Sequence, residues 1–217
     1  MAIDRRGLIT GPLKWALGKQ ALMAQAVKPK DDINHLPKDL PVPKDDGACR
    51  HLTGMAVPRI ALRSTANRTV NLAEVRPGRS VVYCYPRTGP PGQEPPPGWN
   101  EIPGARGCTP ESCGFRDHHK ELSSLGAEVF GLSSQTTEYQ QEMVSRLHLP
   151  FEVLSDAAFQ FTDALRLPTF TFDGVRLLKR LTLVIAAGKI EKVFYPVFPP
   201  DQHAQQVAAW LKQHPRA

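Results

Sequence analysis

Two of the chain's four cysteines stand five positions apart in Gly107-Cys108-Thr109-Pro110-Glu111-Ser112-Cys113-Gly114-Phe115-Arg116-Asp117. The residues around the first of them spell the start of a helix. Thr109 is a good N-cap, Pro110 suits the first helical position, and Glu111 puts a carboxylate in the first turn. Cys108 then lies just before, or on, the turn where unpaired backbone N–H groups and the positive end of the helix dipole converge. A thiol in such a place gives up its proton more readily, and the thiolate is the nucleophile. The stretch is suited to sulfur chemistry.

Cys113 sets a geometric condition. In a continuous α-helix, residues five apart have Cα atoms about 8.7 Å from one another and point to different faces. A disulfide needs roughly 4.4–6.8 Å. A bond between the two cysteines therefore requires the first turn or two to unwind. That is a two-state element, helical when reduced and locally unfolded when oxidised. By residue type alone Cys113 reads equally as a small buried hydrophobe, and both readings stand at this point.

The elements that must position these thiols can be read on either side. Ile60–Ser64 and Thr69–Leu72 are short strand candidates turning at Ala66-Asn67, and Ser80–Pro86 is a β-branched and aromatic run of strand length. This run has the composition of a central strand buried on both faces, with Cys84 a core residue. Residues 87–107 hold six prolines, five glycines and a single large anchor, Trp99. They form neither helix nor strand, and a loop this long is usually functional or disordered; covering a pocket is one reading, and a surface excursion with no role is the other. A helix follows from Thr109 to about Ser124, with Phe115, Leu122 and Leu125 facing inward. Ala127–Ser133 is the next strand, so strand, helix and strand make a βαβ unit with Cys108 beyond the carboxyl end of its first strand.

The remainder reads as a helix near 138–147, a strand over 150–156 and a helix near 157–165. A hairpin, 180–185 with 189–194, turns at Ala187-Gly188, and a last helix is capped by Asp201 and carries Ala204, Val207, Trp210 and Leu211 on one face. Alternation puts Arg180 on the same strand face as Leu178, Thr182 and Val184. A guanidinium on a buried face is costly without an anion beside it, and a thiolate would serve. An arginine at an exposed strand start beside Lys179 is the other reading.

Composition narrows the classes. The 217 residues are 41% hydrophobic and 22% charged, enough for one domain with a full core plus an extension. No apolar run reaches the roughly 18 residues of a membrane span. The net charge of +6 is spread out, with no Lys/Arg run of five, so neither nucleic acid nor a membrane is an expected partner. Four cysteines are too few for a disulfide scaffold and do not space as a zinc site; adjacent His118 and His119 on a helix would point about 100° apart. No metal or cofactor is expected. Residues 1–46 read as an N-terminal extension and linker. Leu8, Ile9, Leu13, Trp15 and Leu17, with Arg5, Arg6, Lys14 and Lys19, suggest a short basic amphipathic helix that Gly7, Gly11, Pro12 and Gly18 weaken, and Pro29, Pro37, Pro41 and Pro43 mark the linker.

From about residue 47 onward, specific motifs appear in order: Tyr85-Pro86, the Gly107–Cys113 stretch with Phe115-Arg116-Asp117, Pro150-Phe151 through Leu154-Ser155-Asp156, and Arg180-Leu181-Thr182-Leu183. Together they resemble the peroxiredoxins of the AhpC/TSA superfamily, closest to the bacterioferritin comigratory protein, or peroxiredoxin Q, type. The resemblance implies an α/β thioredoxin-like fold over 47–217, a central mixed β-sheet flanked by helices. It implies a cytoplasmic, thioredoxin-dependent peroxidase, monomeric or homodimeric, acting on hydrogen peroxide or organic hydroperoxides. Cys108 would be the peroxidatic cysteine, oxidised to a sulfenic acid, and Cys113 would resolve it to an intramolecular disulfide that thioredoxin or a glutaredoxin-like dithiol reduces. Arg180 matches the arginine that holds the thiolate and polarises the peroxide.

One position departs from the family pattern. Ala105 stands where the active-site threonine is usual, three residues before the cysteine, and the proline-rich insertion separates Thr88 from Cys108. Thr88 would return to the pocket if the insertion loops out, or Thr109 would substitute. Two rivals follow: a thiol–disulfide oxidoreductase or redox sensor without fast peroxidase activity, and a non-catalytic module that binds a partner through the proline-rich loop.

Overall fold

The computed structural model describes residues 36–74 and 78–215. Five strands come first in the chain: β1 (Ala61–Ser64), β2 (Thr69–Asn71), β3 (Arg79–Cys84), β4 (Ala127–Ser133) and β5 (Glu152–Ser155). A separate two-stranded hairpin, β6 (Thr169–Phe172) and β7 (Val175–Leu178), precedes β8 (Leu181–Ala186) and β9 (Lys189–Phe194). All but the hairpin join one mixed sheet in the order β2-β1-β5-β4-β3-β8-β9. The β-branched run at 79–84 is buried at every position, as a strand with neighbours on both edges and layers on both faces must be. It pairs in parallel with β4 and antiparallel with β8, so Val82 lies between Phe130 and Leu183.

The helices are α1 (Cys108–Asp117), α2 (His119–Ser124), α3 (Thr137–Leu147), α4 (Gln160–Leu165) and α5 (His203–Gln213). One sheet face packs under α1, α2, α3 and α5 through Val81, Tyr83, Phe115, Leu122, Met143, Val184 and Val207. The other face is closed by α4 and the turns at 49–57, around Leu52, Val82, Cys84, Leu132, Phe161 and Leu183. Successive β3 residues thus feed opposite layers, the period-two alternation of a strand. Tyr83 seats α1 on the sheet: its ring stacks on Phe115 at 4.5 Å, and its hydroxyl donates to Ser112 Oγ at 3.1 Å. The ring crosses β4 at Gly131, where a Cβ would come within 2.9 Å of it.

Several local expectations need correcting. The single helix expected over 109–124 is two, because His118 leaves helical geometry (φ −94°, ψ 4°). Asp201 does not cap the last helix but lies in a 3-10 turn, Pro200–Gln202, that leads into it. The hairpin β6–β7 is an element the sequence reading passed over, although its turn, Asp173-Gly174, has positive φ at both residues, as a type I′ turn requires. The other hairpin turns at Ala187-Gly188 as expected. The amphipathic helix expected near residues 8–19 lies outside the described residues.

His203, at the start of α5, is fully buried, with Nε2 2.8 Å from Thr182 Oγ1. Burial pushes its pKa down from 6.5 to about 4, the Gln206 contact opposing and Arg180 reinforcing the shift. Between those values an unfolded chain takes up a proton that the folded chain refuses. Stability is therefore complete above about pH 6.5 and falls as pH drops toward 4, by on the order of 3 kcal/mol in all. Urea unfolding of wild type should show that slope, and His203→Gln, less stable at neutral pH, should lose less on acidification.

Candidate active site

Helix α1 starts two residues earlier than its capping signals suggest. Gly107, not Thr109, is the N-cap residue, with φ 106°, and its carbonyl accepts from Glu111 N at 3.0 Å. Only glycine fits there. A Cβ would run into the Pro200 ring and come within 2.8 Å of Leu36, in a φ range that side chains disfavour. Pro43 packs alongside at Gly104, so the segment just before the domain lies against the entrance to the helix. Cys108 is the first helical residue and is 4% exposed.

Arg180 sits between the end of β7 and the start of β8 and is 3% exposed. It is buried as expected, but not on one strand face with Leu178 and Val184, which pack in opposite layers. Its Nη2 donates to Cys108 Sγ at 3.1 Å. The same nitrogen reaches Ala105 O at 3.2 Å and Arg106 O at 3.3 Å, and Nε donates to Gly104 O at 3.2 Å. Nη1 donates to Glu111 Oε2. One guanidinium thus ties the loop 104–106, the sulfur and the first turn of α1 together, a use of arginine's rigid fork that lysine cannot copy.

The electrostatics are those of charges removed from water. Burial pushes the Glu111 carboxyl up to about 7, although Arg180 pulls the other way. Glu111 Oε1 is buried without a hydrogen-bond partner among the described residues. Burial would lower the pKa of Arg180, but Cys108 and Glu111 more than offset that and hold it raised. Glu111, read from the sequence only as a helix-dipole partner, is therefore the third member of a buried Cys–Arg–Glu cluster.

Cys113 lies in the same unbroken helix, half-buried, and both thiols are free. Burial raises its pKa while Arg116 beside it works the other way. The reduced half of the expected two-state element is thus the one described.

Thr88 and Thr109 are both buried and both line one cavity of about 430 Å³ with Cys108. Thr88 is gripped by two residues that sequence reasoning did not single out. Gln135 Oε1 accepts from its N–H at 2.9 Å and from its hydroxyl at 3.3 Å, and its carbonyl accepts from Gln135 Nε2 at 3.1 Å and Tyr139 OH at 3.0 Å. Ala105 contributes only its backbone here, with its carbonyl 3.7 Å from the sulfur.

The loop 87–107 lines that cavity with Pro90, Pro95, Pro96 and Trp99. Trp99 is the expected anchor. It is 5% exposed and packs on Phe170 and Phe172 of the β6–β7 hairpin, with Ile102, Ala105 and Leu177 completing a small core of its own.

Comparison with known proteins matches the Redoxin family over residues 52–210. Peroxiredoxin Bcp of Escherichia coli K12 is 30% identical over 167 residues, which cover 74% of this chain and 96% of the relative. The chain belongs to the peroxiredoxins, of the Bcp and Q type. Chloroplastic peroxiredoxin Q of Oryza sativa subsp. japonica is also 30% identical, over 69% of this chain and 62% of its own. Among solved structures, peroxidoxin BcpB of Mycobacterium tuberculosis superposes with a TM-score of 0.62 at 26% identity, over 77% of this chain and all of the other. Peroxiredoxin Q of Xanthomonas campestris, at 21% identity and a TM-score of 0.61 over 76% of this chain and 97% of that one, shares the thioredoxin-like fold.

This peroxiredoxin is accordingly a thiol-dependent peroxidase with a peroxide substrate and a thioredoxin-type reductant. The elements that sequence reasoning missed in it, Glu111, Gln135 and Tyr139, act through contacts between segments far apart in the chain. Gly107→Ala should lower stability by about 2–3 kcal/mol, since a left-handed φ and a steric clash coincide. Gly89→Ala, in the same loop with open space around it, should stay within about 0.5 kcal/mol of wild type; urea midpoints compare the two.

Proposed function

We propose that Cys108 is the peroxidatic cysteine of this enzyme, Cys113 its resolving partner, and Arg180 and Thr88 the residues that hold thiolate and peroxide. The observation that carries the reading is the buried guanidinium 3.1 Å from Cys108 Sγ. A cation donating to sulfur in a site with little water stabilises the thiolate form and the charge that moves onto oxygen in the transition state. Sγ attacks one peroxide oxygen, the S–O bond forms as the O–O bond breaks, and the leaving oxygen takes up a proton and departs as alcohol or water. The sulfenic acid left on Cys108 is attacked by Cys113, which releases water and forms the disulfide. A thioredoxin or glutaredoxin-like dithiol then returns both cysteines to thiols. The disulfide needs α1 to unwind, since the helix holds the two residues about 8.7 Å apart at Cα.

Thr88 supplies the hydroxyl that Ala105 lacks. Its hydrogen goes to Gln135, which leaves the oxygen's lone pairs for a peroxide O–H. In this reading residues 47–217 are the catalytic domain, 1–46 an extension, and the enzyme works as a monomer or homodimer. A reducing compartment, the cytoplasm, suits a cycle completed by a dithiol.

Cys108→Ser should abolish peroxide consumption in a stopped-flow assay, and Cys113→Ser should leave a sulfenic acid that dimedone traps in one turnover. Retained turnover by Cys108→Ser would overturn the assignment. Arg180→Lys keeps the charge and loses the fork; its rate of sulfenic acid formation should fall by roughly 10²–10³. Thr88→Val should fall about tenfold or more, and Thr88→Ser should recover most of that loss.

Glu111 makes the reaction pH-dependent. Below about pH 7 its carboxyl is neutral and the Arg180 charge acts on the sulfur alone. Above it, the carboxylate competes for that charge and repels the thiolate. The wild-type rate of sulfenic acid formation should therefore bend near neutral pH, and Glu111→Gln, which can still accept from Arg180, should lack the bend.

A further inference from the structure

The cavity above Cys108 is far larger than hydrogen peroxide requires. Its volume of about 430 Å³ compares with the roughly 30 Å³ that one water occupies in the liquid. It falls within the roughly 300–1,000 Å³ of pockets that hold small organic molecules. The insertion 87–107 supplies an apolar wall of prolines and one indole, so the space suits an organic body rather than a second peroxide.

The charge on the cavity wall is specific. The Arg87 guanidinium lies 4.6 Å from the Trp99 ring centroid and 5.2 Å from that of Phe172. The two rings stand at 81° to each other, so the guanidinium can turn its face to only one of them, and a contact through that face leaves in-plane N–H groups for other partners. Among the described residues Arg87 pairs with no carboxylate. Arg106 also lines the cavity, and the single acid on its wall, Glu94, is on an exposed part of the loop. A half-buried arginine braced between two aromatic rings and paired with no carboxylate suits a carboxylate, which its N–H fork can bind through both oxygens.

We propose that this enzyme selects organic hydroperoxides bearing a carboxylate remote from the O–O bond, and that Arg87, braced by Trp99 and Phe172, binds that carboxylate. The inference rests on the reading of Cys108 as the attacking sulfur. The reaction is unchanged by the extra contact. Sγ forms a bond to the terminal peroxide oxygen, the O–O bond breaks, the alkoxide takes one proton from solvent and leaves as the alcohol, and the carboxylate stays ionised throughout.

Cumene hydroperoxide and its para-carboxylated analogue share one organic body and differ by that charge. In single-turnover measurements of sulfenic acid formation, wild type should favour the carboxylated form by about tenfold, the discrimination expected of one charge-assisted fork. Arg87→Gln should bring the ratio close to one, Arg87→Lys should retain part of it, and Glu94→Gln should raise it. A wild-type ratio at or below one, or a ratio that survives Arg87→Gln, overturns the proposal. Calorimetric titration of Cys108→Ser with the corresponding carboxylated and neutral cumyl alcohols gives a readout that needs no turnover. Carboxylate-dependent binding that Arg87→Gln removes supports the receptor even if Cys108 were not the attacking sulfur, and its absence overturns the receptor whatever the peroxidase assay gives.

Discussion

A positive charge sealed inside the protein is the constraint from which the rest follows. Removing a guanidinium from water costs several kcal/mol unless close partners replace the solvent. Around Arg180 those partners are one sulfur, one carboxylate and three backbone carbonyls. Loss of the Gly104 carbonyl or the Glu111 carboxylate would leave a donor unmet in a dry interior, whereas the two hydrogens of Nη2 are shared among three acceptors. The carbonyls belong to the last residues of the proline-rich loop, so the same side chain that faces the sulfur also fixes where that loop ends. The end of the loop and the surroundings of Cys108 Sγ are set by one residue.

The loop and the β6–β7 hairpin explain each other. A segment with six prolines loses little chain entropy on becoming ordered and makes few backbone hydrogen bonds of its own. It needs a platform rather than a ladder. The hairpin gives it one, presenting Phe170 and Phe172 to the Trp99 ring. The result is a satellite core separate from the two that sandwich the sheet, and the cavity lies between that satellite core and the start of α1. Thr88, at the other end of the same loop, is held by side chains from the β4–α3 connection and α3. Both ends of the insertion are therefore pinned while its middle lines the cavity.

Much of this could be read from residue order. The sequence reading put Arg180 on a buried face next to a sulfur, and Arg180 is buried with Nη2 3.1 Å from Cys108 Sγ. The alternation behind that reading fails, because residue 180 lies in the break between β7 and β8, and Leu178 and Val184 pack in opposite layers. The central strand was clear because no polar residue interrupts Val81 to Tyr85. What escaped was decided by packing. Thr109 and Pro110 are good local signals for a helix start, but Leu36 and Pro200 crowd the preceding residue so closely that glycine takes the cap and the helix begins at Cys108. Glu111 obeyed a local rule and served a longer-range one. The hairpin carried its own signals, the Asp173-Gly174 turn and the strict alternation of Thr169-Phe170-Thr171-Phe172 before it, and the sequence reading passed over both. Gln135 and Tyr139 have no motif at all, since their role is defined only by a loop arriving from 47 to 51 residues away.

The packing of Leu36 and Pro200 on either side of Gly107 bears on how the protein can loosen. An N-terminal helical turn usually frays on its own, at almost no cost. Here the first residue of the turn is wedged between two segments 164 positions apart in the chain, so fraying from that end has to displace both. The entrance to α1 is thus clamped at two points far apart in sequence, and unwinding from that end costs the packing of the chain ahead of the domain as well as that of the turn before α5.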